Sequence, residues 1–154
     1  MDEELIICSY SEDSFRHAML ADDGLTGILY LHSPSEDPTK TGKVEADCFA
    51  YNRIEPIDPK QVHSYRPNPP PIARGYASKH AVCRRPKSHE WRLVWSTDGN
   101  AVVLLRDGDP WAMALRNIRG GFSKAIQSQG PWGSPWSMEA YEGISWGGRG
   151  RLCK

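Results

Sequence analysis

Residues 116–137 hold two adjacent glycines, Gly120 and Gly121, among the cations Arg116, Arg119 and Lys124. Successive main-chain N–H groups at such a pair can converge on an anion, and three cations around them would suit a phosphate. Ala125 follows the lysine, so the segment lacks the Ser or Thr that a Walker A loop requires. The competing reading is a tight turn between two elements, with glycine supplying backbone freedom. Just downstream, Trp132 and Trp136 each stand beside a proline. A flat ring on a stiff backbone suits stacking on a base, a sugar or a proline-rich peptide. The same two indoles could instead fold over the open end of a core, and this lid is the reading we prefer, with a ligand edge still open.

A second cluster spans residues 66–92. It carries Arg66, Arg74, Lys79, Arg84, Arg85, Lys87 and Arg92 against Glu90 alone, with Tyr65, Tyr76 and Trp91 interleaved. Cations neutralise phosphates and rings stack on bases, so this is the best nucleic-acid candidate. No RNP motif, KH loop or zinc-finger spacing accompanies it. Its bland counterpart is a solvated loop facing the acidic N-terminal part. His80, Cys83 and His89 also fall here, but three ligands at this spacing match no zinc class, so no metal and no cofactor are expected. No serine-hydrolase elbow or zinc-protease motif occurs either. Were the chain an enzyme, His63, His80 or His89 would be its base, on the strength of their neighbours alone.

These groups need a scaffold. A chain of 154 residues, 39% hydrophobic and with six Trp, six Tyr and three Phe, can close a core without staples. The sequence predicts one α+β domain over residues 1–146, with a flexible tail at 147–154. The net charge of zero divides into −9 over residues 1–58 and +9 over residues 59–154. Either the two parts neutralise each other, the preferred reading, or the second forms a basic face. The acidic start and its short apolar run exclude a secretory signal, and no run approaches membrane-spanning length. A cytoplasmic location is expected, with no membrane partner. Cys8, Cys48, Cys83 and Cys153 are then expected as reduced thiols, Cys8 in the core and Cys153 exposed in the tail.

Residues 4–10 read as a strand. Ser11, Glu12 and Asp13 read as a helix start, with Phe15, Ala18 and Met19 on its buried face and Gly24 as its stop. Residues 25–32 and 44–54 read as strands. Residues 55–72 carry six prolines and almost no periodicity, predicting a long irregular loop. Residues 91–116 give the clearest signal. Trp91, Leu93 and Trp95 alternate, Asp98-Gly99 and Asp107-Gly108 mark turns, and Trp111, Met113 and Leu115 alternate again, which predicts a three-stranded antiparallel meander. Short helices are expected at 123–128 and, capped by Ser134, at 136–142.

With strong recognition chemistry and no catalytic frame, the sequence points to a non-catalytic protein of the inhibitor or immunity type. It would bind a protein partner through Arg84, Arg85, Arg116, Arg119, Gly120, Gly121, Lys124, Trp132 and Trp136. The alternative is a nucleic-acid or nucleotide-phosphate binder, including an enzyme on a phosphate ester.

Overall fold

A computed structural model describes residues 5–153. The chain is mostly β, in two five-stranded sheets. The first is built from β1 (Ile6–Ser11), β2 (His17–Asp22), β3 (Thr26–His32), β4 (Val44–Asn52) and β10 (Gly150–Leu152), in the order β10-β1-β2-β3-β4 and antiparallel throughout. The second holds β5 (Trp91–Trp95), β6 (Ala101–Arg106), β7 (Asp109–Leu115), β8 (Phe122–Ser123) and β9 (Ser134–Pro135), in chain order, with β8 and β9 parallel.

The meander forms as its alternation demands. Trp91 and Trp95 turn inward, 4% and 1% exposed. Gly99 and the pair Asp107-Gly108 take the positive φ angles that tight hairpin turns require. Inward residues of both sheets share one core, in which Leu20, Leu29, Leu31, Tyr51, Trp95 and Leu104 are buried. Burying a Leu-sized side chain is worth about 1.5–3 kcal/mol.

The N-terminal helix does not form. Ser11 accepts the N–H groups of Asp13 and Ser14, as a helix cap would, but the chain turns back after it. Residues 17–22 form β2, with Ala18 and Leu20 facing the core and Met19 facing away. Phe15, Ala18 and Met19 fit a helical period. Ala18, Leu20 and Asp22 fit a period of two equally well, and β1 and β3 on either side supply the main-chain partners of a strand. The helix expected at 123–128 is likewise absent, replaced by β8 and turns. The one α-helix among the described residues is α1 (Met138–Glu142). Its cap is Ser137, which accepts the Ala140 N–H, while Ser134 and Pro135 lie in β9.

Two further departures concern the chain ends. Gly150–Leu152, expected to fray, pairs with β1. Cys8 and Cys153, expected as free thiols, form a disulfide there, and neither is fully exposed. Cys48 and Cys83 remain free and buried, and burial pushes the thiols of both up from their ordinary range. The Asp13 carboxylate reinforces this closure. It accepts the Arg149 main-chain N–H at 2.8 Å and two guanidinium N–H bonds at 3.1 and 2.8 Å. The main-chain bond, then the guanidinium, hold Asp13 below the usual carboxylate range. A lowered carboxylate stabilises the fold above its unfolded-state value of about 3.9, and that contribution is lost as the pH falls through the lower folded value. Asp13→Asn is therefore expected to be less stable than the parent at neutral pH. The difference should vanish in strong acid, read as urea midpoints across a pH series.

The proline-rich segment is irregular, as expected, apart from a 3-10 turn at Pro59–Tyr65. It is not loose. Ile57, Ile72 and Ala73 are buried in a second core with Ile28, Phe49, Ile126 and Trp132, against the face of β3 and β4 that the other sheet leaves uncovered. Asn52 fastens it, donating to the Ile72 carbonyl at 3.0 Å and accepting the Ile72 N–H at 2.8 Å.

Candidate partner-binding surface

The glycine pair sits where β7 gives way to β8. Gly120 has φ of +61°, and Gly121 is buried, donating its N–H to the Asp47 carbonyl and accepting the Ser134 N–H. The adjoining cavity of about 390 Å³ is lined by Glu45 and Asp47 as well as Arg119. Two carboxylates beside the pair oppose a phosphate there. Burial raises the Asp47 carboxyl above its ordinary value, and Arg119 partly offsets this. The cations go to separate partners: Arg116 lies 3.9 Å from Glu45, and the Lys124 ammonium sits 5.8 Å from the Trp136 ring centre.

Trp132 is 4% exposed. Its indole N–H donates to the Pro70 carbonyl at 3.0 Å and its ring packs on Tyr76. It closes the second core over the proline-rich segment. Trp136 is half-buried and packs on Tyr141, which stacks on Trp146.

The basic segment is spread out. Arg84 pairs with Glu55 and Arg74 with Asp58, while Arg85 is exposed. Trp91, the ring best placed to stack on a base, is buried beneath the Arg106 guanidinium. Four ion pairs among the described residues join the acidic N-terminal part to the basic remainder: Arg74–Asp58, Arg84–Glu55, Arg116–Glu45 and Arg149–Asp13. His63, His80 and His89 are all exposed. Among the described residues no group of three or more His, Cys, Asp or Glu could hold a metal.

The buried histidines are two that the sequence did not single out. His17 and His32 each hydrogen-bond a carbonyl of the β3–β4 connection, at Pro38 (2.8 Å) and Gly42 (2.9 Å). Tyr10 also donates to the Ser35 carbonyl, so residues 33–43 are strapped down on the first sheet.

That strap belongs to an end of the molecule where four connections meet. Arg16, itself buried, donates to the Glu45 carboxylate at 2.7 Å, to the His32 carbonyl at 3.1 Å and to the Asn100 side chain at 3.2 Å. The Arg116 N–H donates to the Asn100 carbonyl, and the Ser14 hydroxyl to the Gly99 carbonyl. The turns β1–β2, β3–β4, β5–β6 and β7–β8 are thereby tied into one rigid end. Three large apolar side chains stand out on or beside these turns: Phe15 (51% exposed), Val44 (51%) and Ile118 (43%).

Phe15 is the unusual one. Its φ is +62°, the left-handed region that costs an ordinary residue about 1–2 kcal/mol and that glycine occupies freely. Its N–H donates to the Ser11 carbonyl and its carbonyl accepts the Ser35 N–H, so the conformation is held from both sides. The sequence reading placed Phe15 on a buried helical face. The signal that could have found it is the polar run Ser11-Glu12-Asp13-Ser14 between two alternating apolar segments, a hairpin pattern.

The architecture defines a mostly β class, two packed sheets with rigidly held connections at one end. Comparison with known proteins carries this no further: no family model, no curated protein and no solved structure matches the chain.

Proposed function

We propose that the chain is a non-catalytic binding protein that recognises a protein partner, in the manner of an inhibitor or immunity protein. The docking surface we assign is the end carrying Phe15, Val44 and Ile118. The observation that carries this reading is Phe15: a bulky ring held in a glycine conformation with half its surface in solvent. Glycine would meet the backbone's demand there without the strain, so a contact outside the chain is the natural use of the ring. Large apolar groups on turns held by a rigid scaffold are also the usual makings of a recognition site.

Phe15→Gly separates fold from function. It is expected to leave stability unchanged or raise it by up to about 1 kcal/mol, because strain relief is offset by glycine's greater freedom when unfolded. Capture of the partner from extracts of the source cells should fall at least ten-fold, since buried aromatic anchors carry much of an interface's energy. Equal capture by parent and variant would sink the assignment. Saturable oligonucleotide binding that weakens steeply with salt would instead favour the polyanion alternative, which rests on the exposed cations around Arg85.

A further inference from the structure

The open side of the molecule, away from β4 and β9, sets two sheet edges next to each other. One is β5. The Ser96 N–H donates to the Ala101 carbonyl and the Asp107 N–H to the Glu90 carbonyl. In an antiparallel ladder this phase turns the main-chain groups of Arg92 and Val94 toward β6 and those of Trp91, Leu93 and Trp95 toward the free edge. At the ends of that edge one group each is satisfied: the Trp91 N–H donates to the Ser88 carbonyl, and the Trp95 carbonyl accepts from Gly147 and Gly148. Its centre is not. The N–H and C=O of Leu93 have no hydrogen-bond partner among the described residues.

The facing edge is β10, whose Arg151 is paired with Tyr10 of β1, so that Gly150 and Leu152 turn their main-chain groups outward. Between the two edges runs a groove of about 460 Å³. Ile7, Leu93 and Leu152 give it apolar lining, and Leu152 is 76% exposed. Arg92 and Arg151 are the charged residues of the lining and both are exposed, but the Arg151 guanidinium lies over the Tyr10 ring at 5.3 Å, so Arg92 is the charge offered to the groove. Among the described residues no carboxylate lines it.

We propose that this groove takes one extended peptide strand of a partner protein, added along β5. The strand would exchange main-chain hydrogen bonds with Leu93 and place alternate apolar side chains against Ile7, Leu93 and Leu152. An acidic residue would sit opposite Arg92. An unpaired strand edge recognises an extended backbone, alternate pockets set the side-chain pattern, and the lining's charge sets the sign. A second copy of this chain fits poorly, because pairing β5 with β5 would bring the two Arg92 side chains together with no acid to offset them. The inference stands apart from the Phe15 reading, since it concerns a different edge and a different recognition chemistry.

The test uses the purified full chain and three synthetic ten-residue peptides. The first alternates valine and threonine between paired aspartates at each end. The second replaces the aspartates with lysines. The third carries two prolines in its centre. Binding is followed by calorimetry and by amide hydrogen exchange. The acidic peptide is expected to bind at least ten-fold more tightly than either control and to slow exchange at the Leu93 amide. Arg92→Glu, a change at an exposed site, should weaken that peptide at least ten-fold and reverse the preference toward the lysine peptide. Equal binding of the three peptides, no binding, or unchanged exchange at Leu93 would overturn the proposal. Leu93 protection that rises with protein concentration alone would overturn it in favour of self-association.

Discussion

Gly121→Ala is expected to yield little or no folded protein. A β-carbon on Gly121 would lie 2.0 Å from the carbonyl oxygen of Met113, and no flexible side-chain end can move away to relieve it. The clash falls where three strands cross. Gly121 donates to Asp47 of β4 and accepts from Ser134 of β9, while the next residue, Phe122, pairs with Met113 of β7. Moving the backbone to admit a methyl group therefore breaks contacts on both sheets at once. Overpacking in a tight core costs about 1–3 kcal/mol, and a main-chain clash of this depth belongs at or above the top of that range. Such a loss is a large share of the roughly 5–15 kcal/mol that holds a domain folded.

Gly120→Ala provides the comparison. Its position carries left-handed strain, worth about 1–2 kcal/mol, and its β-carbon would approach Gly133 to 3.1 Å. It should fold with a lowered melting temperature. Circular dichroism and thermal melts of both variants decide whether the glycine pair is architectural. A ligand-cradling pair would behave differently, with Gly121→Ala folding normally and losing only an anion.

Trp132→Ala should cost about 3–5 kcal/mol, the range for removing a buried large aromatic side chain. The indole fills the second core against Ile126, Ile72 and Tyr76, and its N–H holds the Pro70 carbonyl. The loss should have a local signature. With that contact gone, the segment around residues 55–72 retains Asn52 as its main fastening and should become the first site of proteolysis. Trp132→Phe keeps much of the apolar volume and gives up the hydrogen bond, so it should lose clearly less. Urea unfolding and limited proteolysis measure both. A change of under about 0.5 kcal/mol would mean that the indole is a surface group and that the lid reading is wrong.

Some of this architecture was readable in the sequence because the signals were local. The meander over residues 91–116 needed only alternation and two Asp-Gly turns, and neighbours in the chain are the residues that pair. The strands at residues 25–32 and 44–54 were legible for the same reason. The burial of Trp132 follows from its type, but its place does not: the meander's aromatic face is covered by the first sheet, and Trp132 closes the second core over the proline-rich segment instead.

What the sequence left ambiguous was decided by distant partners. Residues 15–22 satisfy a helical and a strand period together, and only the presence of β1 and β3 on either side selects the strand. Ile57, Ile72 and Ala73 show no period because a covering segment is anchored at isolated points rather than along a face. Phe15 falls at helical spacing with Ala18 and Met19 and so reads as buried, whereas the turn's geometry leaves it half in solvent. Composition alone determined a chain with apolar surface enough for a core, and the alternating runs determined most of its strands. The tertiary structure alone decided that Gly150–Leu152 becomes an edge strand, that Cys8 meets Cys153, and that the unpaired edge of β5 faces a basic groove, because each depends on chain segments brought together across long sequence separations.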